Sequence, residues 1–207
     1  MRVILYLTCS PKGRGAFSRL VGDELLARLV EADPGARVIH RDLAANPPPV
    51  PDAAFSAAVL GAAPDDDPAF GASEILISEL ERCDALVIAT PMHNYAVPAV
   101  LKAWIDQVVR IRRSFRSAPA GKVGMLRDRP VFVVVASGGW FTGPSPSGTP
   151  AQPDYLTPYL RAVLGTIGLN DLAFITLEGV ARGAEPAERA LASARGRLRQ
   201  LVPLPPM

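Results

Sequence analysis

The sequence predicts an α/β protein, an open sheet of about five parallel strands with helices on both faces. Three observations predict it. Apolar runs of strand length alternate with stretches of helical periodicity along the whole chain. Two of those runs, 85–90 and 131–135, are apolar without a break, as strands covered on both faces are. Three loops of unusual composition follow strands, at the carboxyl ends where open parallel sheets hold their ligands.

The elements follow in order. Val3 to Leu7 is the first strand, bounded by "TCSPKGRG", and Phe17 to Val30 places Leu20, Val21, Leu25, Leu26 and Leu29 at helical spacing. Val38 to His40 is a short second strand. The prolines of "RDLAANPPPVPD" forbid either regular structure and send the chain over the surface. Ser73 to Leu80 reads as a helix with Ser73 as its N-cap, followed by the buried strand Ala85 to Thr90. Val97 to Val109 is helical, with Val97, Val100, Leu101, Trp104, Ile105 and Val108 on one face. Val131 to Val135 is the next strand, and its exit, "ASGGWFTGPSPSGTPAQPDY", is long, rich in Gly and Pro and expected to be mobile. Leu156 to Ile167 is a helix, Leu172 to Leu177 the last strand and Pro186 to Leu201 the last helix.

At 207 residues, with no internal repeat or linker, residues 1–207 are expected to form a single domain. Hydrophobic residues at 49% and charged residues at 20% describe a soluble protein, and no apolar run reaches the roughly 18 residues of a membrane span. The N-terminal apolar run reads as a strand rather than a signal peptide. Cys9 and Cys83 have neither disulfide-framework nor zinc spacing, which fits a reducing cytoplasm. A net charge of +2 is nearly balanced. Arg110, Arg112, Arg113, Arg116, Lys122, Arg127 and Arg129 form a local basic cluster, read as a solvated helix end or else as a site that attracts an anionic cofactor; without interleaved aromatics it argues only weakly for nucleic acid, and no nucleic-acid partner is expected.

The first unusual loop, "TCSPKGRGAFS", offers Ser10, Gly13, Gly15 and Ser18 before a helix N-terminus, a place suited to a phosphate or simply a tight turn. It is neither a Walker loop nor a dinucleotide fingerprint. The second, Pro91-Met92-His93-Asn94-Tyr95, offers backbone amides, a thioether and an aromatic ring to a flat heterocycle, or else packs Met92 and Tyr95 in the core. The third, Ala136-Ser137-Gly138-Gly139, has glycines that permit close approach to a ligand. Cys9 reads as a small buried hydrophobe, Asp42 and Asp106 as capping or surface residues, and His40 carries no specific signal.

Taken together, "RDLAANPPPVPD", "ATPMHNYAVPAVLKAWIDQV", "RPVFVVVASGG" and "YLTPYLRAVLGTIGL" resemble the FMN-dependent NAD(P)H azoreductases and quinone reductases of the flavodoxin-like superfamily, in order and over nearly the whole chain. The resemblance implies a flavodoxin-like three-layer sandwich with strand order 2-1-3-4-5, non-covalent FMN, NADH or NADPH as donor, and two-electron ping-pong reduction of quinones and azo compounds by hydride transfer through the flavin N5. Ser10 and Ser18 match serines that bind the FMN phosphate. Met92, His93, Asn94 and Tyr95, after Pro91, match the flavin-ring loop, and Gly138 and Gly139, beside Ala136 and Ser137, a glycine pair at the pyrimidine side of the ring.

Several positions depart from the family pattern. Ala16 and Phe17 stand where polar residues are usual, so the phosphate would rely on backbone amides. His93 replaces a Tyr and is the one candidate for a catalytic hydrogen bond, while Ser137 stands where some members have Arg. Trp140 and Phe141 are candidates to line the substrate pocket. The resemblance also implies a homodimer, with Trp104 and the segment Arg110 to Arg116 as candidate contacts. A flavodoxin-like electron carrier or a non-catalytic relative that has lost FMN are the alternatives; against the first stand the pI of about 8.7 and the extended loop.

Overall fold

Alternation along the first strand sets the layers. In β1 (Val3–Thr8), Ile4 and Tyr6 point to one face of the sheet, Leu5 and Leu7 to the other, and all four are buried. The computed structural model describes residues 2–203. Its main sheet joins β1 with β2 (Arg37–Asp42), β3 (Ala85–Pro91), β6 (Val131–Ala136) and β7 (Leu172–Leu177), all parallel, in the order β2-β1-β3-β6-β7. With the small hairpin described below set aside, this is the expected 2-1-3-4-5 arrangement.

Helices α1 (Phe17–Ala32) and α6 (Ala184–Leu201) cover the face that carries Tyr6, Val87 and Val134. On the other face, α3 (Gly71–Arg82), α4 (Ala99–Val108) and α5 (Thr157–Thr166) pack on Leu7, Ile88 and Val133. Both faces being covered explains the unbroken apolar strands. Helix α1 packs closely on the sheet at Gly22, where a Cβ would stand 2.7 Å from the Tyr6 hydroxyl and 2.9 Å from the Ala89 Cβ.

Several local expectations are corrected. Ser73 is not an N-cap. It lies inside α3, which begins after Phe70, and its buried hydroxyl donates to the Gln107 carbonyl at 2.6 Å, tying α3 to α4. The helix expected from Val97 begins at Ala99, because Pro98 supplies its entry. Two elements escaped sequence reading. Helix α2 (Ala53–Leu60), capped by Asp52 accepting from the Phe55 amide at 2.8 Å, is eight residues long with no polar stripe to mark it. The hairpin of β4 (Phe115–Ala118) and β5 (Gly121–Gly124) has strands of only four residues.

The basic cluster is solvated only in part: Arg112, Arg116, Lys122 and Arg127 are exposed, whereas Arg110, Arg113 and Arg129 are drawn inward. Arg110 is buried, lies 4.0 Å over the Phe70 ring, and pairs with Asp65 at 2.7 Å and with Glu74. Arg113 pairs with Glu74 at 3.1 Å and Glu81 at 2.5 Å, and those carboxylates hold its guanidinium protonated beyond its ordinary range. Arg129, also buried, donates to the carbonyls of Leu80 and Cys83, satisfying the C-terminal end of α3. A charge enters a core only when partnered, and acids distant in sequence supply the partners. Trp104 likewise is wholly buried in the core and presents no surface to a second chain.

Replacing Gly22 by Ala inserts a methyl between Tyr6 and Ala89. A net loss of about 1–2 kcal/mol in urea unfolding is expected, overpacking outweighing the gain in helix propensity; unchanged stability would mean that α1 can lift off the sheet at no cost.

Candidate functional site

The loops after β1, β3, β6 and β7 converge at the carboxyl end of the sheet, where strand order reverses between β1 and β3. They enclose a cavity of about 200 Å³. Ser10, Pro11, Lys12, Ala16, Phe17 and Ser18 line it on the β1 side. Pro91, Met92 and His93 line it from β3, Ala136 and Gly138 from β6, and Val180 and Ala181 from the end of β7.

At the β1 end the chain turns tightly. The Gly13 amide donates to the Ser10 carbonyl at 3.1 Å, with Gly13 at φ +53°, and the Lys12 amide donates to Ser10 Oγ at 3.3 Å. Ala16 precedes α1 and offers no capping side chain. The first-turn amides of α1, which have no carbonyl partner within the helix, therefore face the loop with the positive end of the helix dipole. Ser18 sits in that turn; its hydroxyl is buried and has no hydrogen-bond partner in the protein. A buried hydroxyl without a partner is costly, and here it belongs to a residue that lines the cavity.

The loop after β3 closes into a two-residue turn. The amides of His93 and Ala96 donate to each other's carbonyls at 3.0 and 2.9 Å, and Asn94 and Tyr95 both take positive φ, 48° and 69°. This is the backbone of a type I′ turn. Asn accepts such angles readily and Tyr does not, so the turn is strained at Tyr95. The Tyr155 amide holds it by donating to the Tyr95 carbonyl at 2.9 Å. Met92 is buried, whereas His93, Asn94 and Tyr95 are exposed. The Met92 amide donates to the Ala136 carbonyl at 2.8 Å, so neither it nor the His93 amide is free for a heterocycle. Among the described residues, the amides of Asn94 and Tyr95 have no such partner.

The loop after β6 departs further from expectation. Gly138 borders the cavity, and a Cβ there would stand 3.1 Å from the Ala181 Cβ. A Cβ on Gly139 would stand 2.5 Å from Gln152 Oε1, so Gly139 makes room for the Gln152 side chain. Ser137 is buried; its hydroxyl accepts from Gln152 Nε2 at 2.8 Å and does not line the cavity.

Trp140 and Phe141 do not line the cavity either. Phe141 is buried in the core, and Trp140 lies over Gly179, where a Cβ would come within 2.6 Å of its ring, bordering a separate cavity of about 300 Å³ with Thr142, Glu178 and Arg189. The segment they begin is tethered, not loose. The Glu178 carboxylate accepts from the amides of Phe141 and Thr142 at 2.8 and 2.7 Å. Gln152, Glu178, Val180 and Ala181 were missed in the sequence. The last two follow the final strand, so the carboxyl-end rule could have found them; Gln152 had no signal beyond being a long polar side chain in a loop of small residues.

The other titratable groups near the loops are structural. Cys9 is fully buried, and desolvation lifts its thiol well above the ordinary value despite a hydrogen bond with Thr90. Burial raises Asp42, but the Ala45 amide, Arg19 and the Ala44 amide outweigh it and hold the carboxylate low. His40 stacks on Tyr6 with ring centroids 5.1 Å apart, and burial and then the Arg19 charge keep it below its ordinary value. Asp106 pairs with Lys102 at 2.5 Å on the outer side of α4.

An open parallel sheet with a crevice of this kind defines a class before it defines a protein. Residues 2–202 match the sequence model of a family described as having the flavodoxin-like fold, and the chain belongs to that family. Within it the chain is 48% identical over 204 residues to FMN-dependent NADH:quinone oxidoreductase 4 of Pseudomonas fluorescens, spanning 99% of this chain and 97% of the relative. It is 44% identical over 200 residues to FMN-dependent NADH:quinone oxidoreductase 5 of Burkholderia lata, spanning 97% of this chain and 94% of that one. Among solved structures, an FMN-dependent NADH-azoreductase of Bacillus anthracis in complex with FMN superimposes with a TM-score of 0.80 at 22% identity, covering 98% of this chain and all of that one. At that identity the likeness concerns the fold.

A thiol so buried and so far from ionisation does not react with a disulfide reagent in the folded chain at pH 8. Titration of the native and urea-unfolded protein with such a reagent is expected to count neither Cys9 nor Cys83 in the first and both in the second; rapid native labelling of Cys9 would contradict its burial.

Proposed function

We propose that the chain is an FMN-dependent NADH:quinone oxidoreductase that also reduces azo compounds. The observation that carries this reading is the Ser18 hydroxyl, buried and unpartnered at the N-terminus of α1 on the border of the cavity, beside amides oriented for an anion. Ser10, Ser18 and the first amides of α1 would hold the FMN phosphate, with the Lys12 side chain at the rim adding positive charge. Ala16 and Phe17 contribute backbone and apolar surface there and no side-chain donor. The turn amides of Asn94 and Tyr95 and the backbone of Gly138 would face the flavin ring, with Met92 beneath it as a polarisable contact.

When bound, FMN supplies the redox chemistry, accepting two electrons from NADH and passing them to a quinone or azo acceptor. The chain's task is to bind, orient and shield. A flavin-borne reaction needs no protein nucleophile. His93, exposed at the mouth, is placed to hydrogen-bond an acceptor oxygen and is the one candidate for such a role. Donor choice follows the relatives, whose names specify NADH.

The same reading includes a single domain, a homodimer and a cytoplasmic location. A cavity of about 200 Å³ is small for a whole flavin nucleotide, which supports a second chain completing the site. Exposed Val50 and Leu60 border a groove reaching Asp106 of α4, which supports contact through that side now that Trp104 is excluded. Two free, buried cysteines suit a reducing compartment. No described helix is long and apolar enough to cross a membrane.

After incubation with FMN and removal of excess, the chain is expected to retain a flavin band that bleaches with NADH in the absence of air and returns on adding a quinone. A band that persists with NADH would turn the reading toward an electron carrier. Ser18→Ala is expected to raise the FMN Kd about 10- to 100-fold, the range for a lost hydrogen bond to a charged group. An unchanged Kd would move the phosphate elsewhere.

A further inference from the structure

Gln152 joins two loops that nothing in its sequence neighbourhood connects. Its side-chain amide donates to Ser137 Oγ at 2.8 Å and approaches Met92 Sδ at 3.3 Å, while its backbone amide donates to the Trp140 carbonyl at 2.8 Å. Gly139 leaves the space in which its Oε1 sits. Three residues on, the Tyr155 amide holds the Tyr95 carbonyl. At the segment's start, Glu178 accepts from Phe141 and Thr142, including the Thr142 hydroxyl at 2.8 Å. Residues 140–155 are therefore a strap, fixed at one end to the residue after β7 and at the other to Met92, just before the turn that follows β3, and to Tyr95 within that turn.

The turn needs such a strap. Two consecutive left-handed residues, one of them Tyr, persist only where the surroundings over-determine them. Met92 has three rotatable side-chain bonds and would otherwise sample several rotamers. An amide hydrogen on a thioether is a weak bond, so its value is in direction: it selects one Met92 conformation while the Ser137 hydroxyl fixes the amide plane.

We infer that Gln152 is a positioning residue, holding Met92 and the turn at His93 to Ala96 in their ligand-ready arrangement before the cofactor arrives. The inference rests on the FMN reading above for its consequence, and on the protein alone for its mechanism. It makes Gly139 part of the same device, since any side chain there displaces Gln152.

The test uses Gln152→Ala, Gln152→Glu, Gly139→Ala and the double variant Gln152→Ala with Gly139→Ala. Amide hydrogen exchange across residues 92–96 is measured on the FMN-free chain, and FMN Kd and the position of the bound-flavin absorption band on the loaded chain. Each single variant is expected to speed exchange in that segment, raise the FMN Kd about three- to tenfold and shift the band, with distant segments exchanging as in the wild type. Gln152→Glu keeps the length but cannot donate to the thioether, so it is expected to follow Gln152→Ala. The double variant is expected to be no worse than the worse single, because Ala at 139 then has no Gln152 to displace.

Wild-type exchange and affinity in Gln152→Ala, wild-type behaviour in Gln152→Glu, or effects that multiply in the double variant would overturn the inference. If the wild-type chain itself takes up no FMN, the proposed function fails instead, and exchange at residues 92–96 alone decides whether Gln152 holds the turn: faster exchange in the variants upholds it and unchanged exchange overturns it.

Discussion

Everything at the site depends on parallel pairing carried past the ends of the strands. The Cys9 amide donates to the Ala89 carbonyl at 3.0 Å, Met92 to Ala136 at 2.8 Å and Ser137 to Leu177 at 2.8 Å. Each of these bonds continues a ladder one step beyond regular strand or fixes the first residue after it. They set the loops after β1, β3 and β6 at a common level, so that residues far apart in sequence border one crevice. The strand alternation that buries Leu7 and Ile88 on one face and Tyr6 and Ala89 on the other fixes the same register from below.

Above that frame the chain uses glycines to let side chains close on its backbone. Gly22 lets α1 settle against Tyr6, Gly138 admits Ala181, and Gly139 admits Gln152. Only one of these, Gly138, borders the crevice. Glycine in a ligand-facing loop thus answers here mostly to internal packing, which is also what holds the strained turn at Asn94 and Tyr95 in place. Polar groups follow the same logic. Glu178 and Gln152 spend their hydrogen bonds on neighbouring loops, while Ser18, alone near the crevice, keeps a buried hydroxyl without a partner in the protein.

Legibility in the sequence tracked the range of the forces involved. The strands were plain, because an apolar run covered on both faces needs no partner to be recognised, and Val131 to Val135 and Ala85 to Thr90 were found within a residue or so of their ends. The crevice was found too, at Ser10, Ser18, Pro91, Met92, His93 and Gly138, because unusual composition after a strand is a local feature. Trp140 and Phe141 were misplaced, since composition says that a loop is unusual and not which way its side chains turn. Arg110 and Arg129 were misplaced for a related reason: a basic run reads as solvated until Asp65, Glu74 and the end of α3 are seen to meet it.

By itself, then, the sequence determined the layers, the number of strands in the main sheet and residues on three sides of the crevice, which follow from hydrophobic periodicity and from Gly and Pro placed after strands; the order of the strands followed only from the family resemblance. Only the tertiary structure decided that the loop after β3 closes into a left-handed pair, that Gln152 reaches both Met92 and Ser137, that Ser73 bonds across to Gln107 instead of capping its own helix, and that Trp104 faces the core. The physical reason is the same in each case. A hydrogen bond or a buried side chain is satisfied by whatever the fold brings within about 3 Å, and that neighbour is set by the crossing of distant segments rather than by the residues on either side.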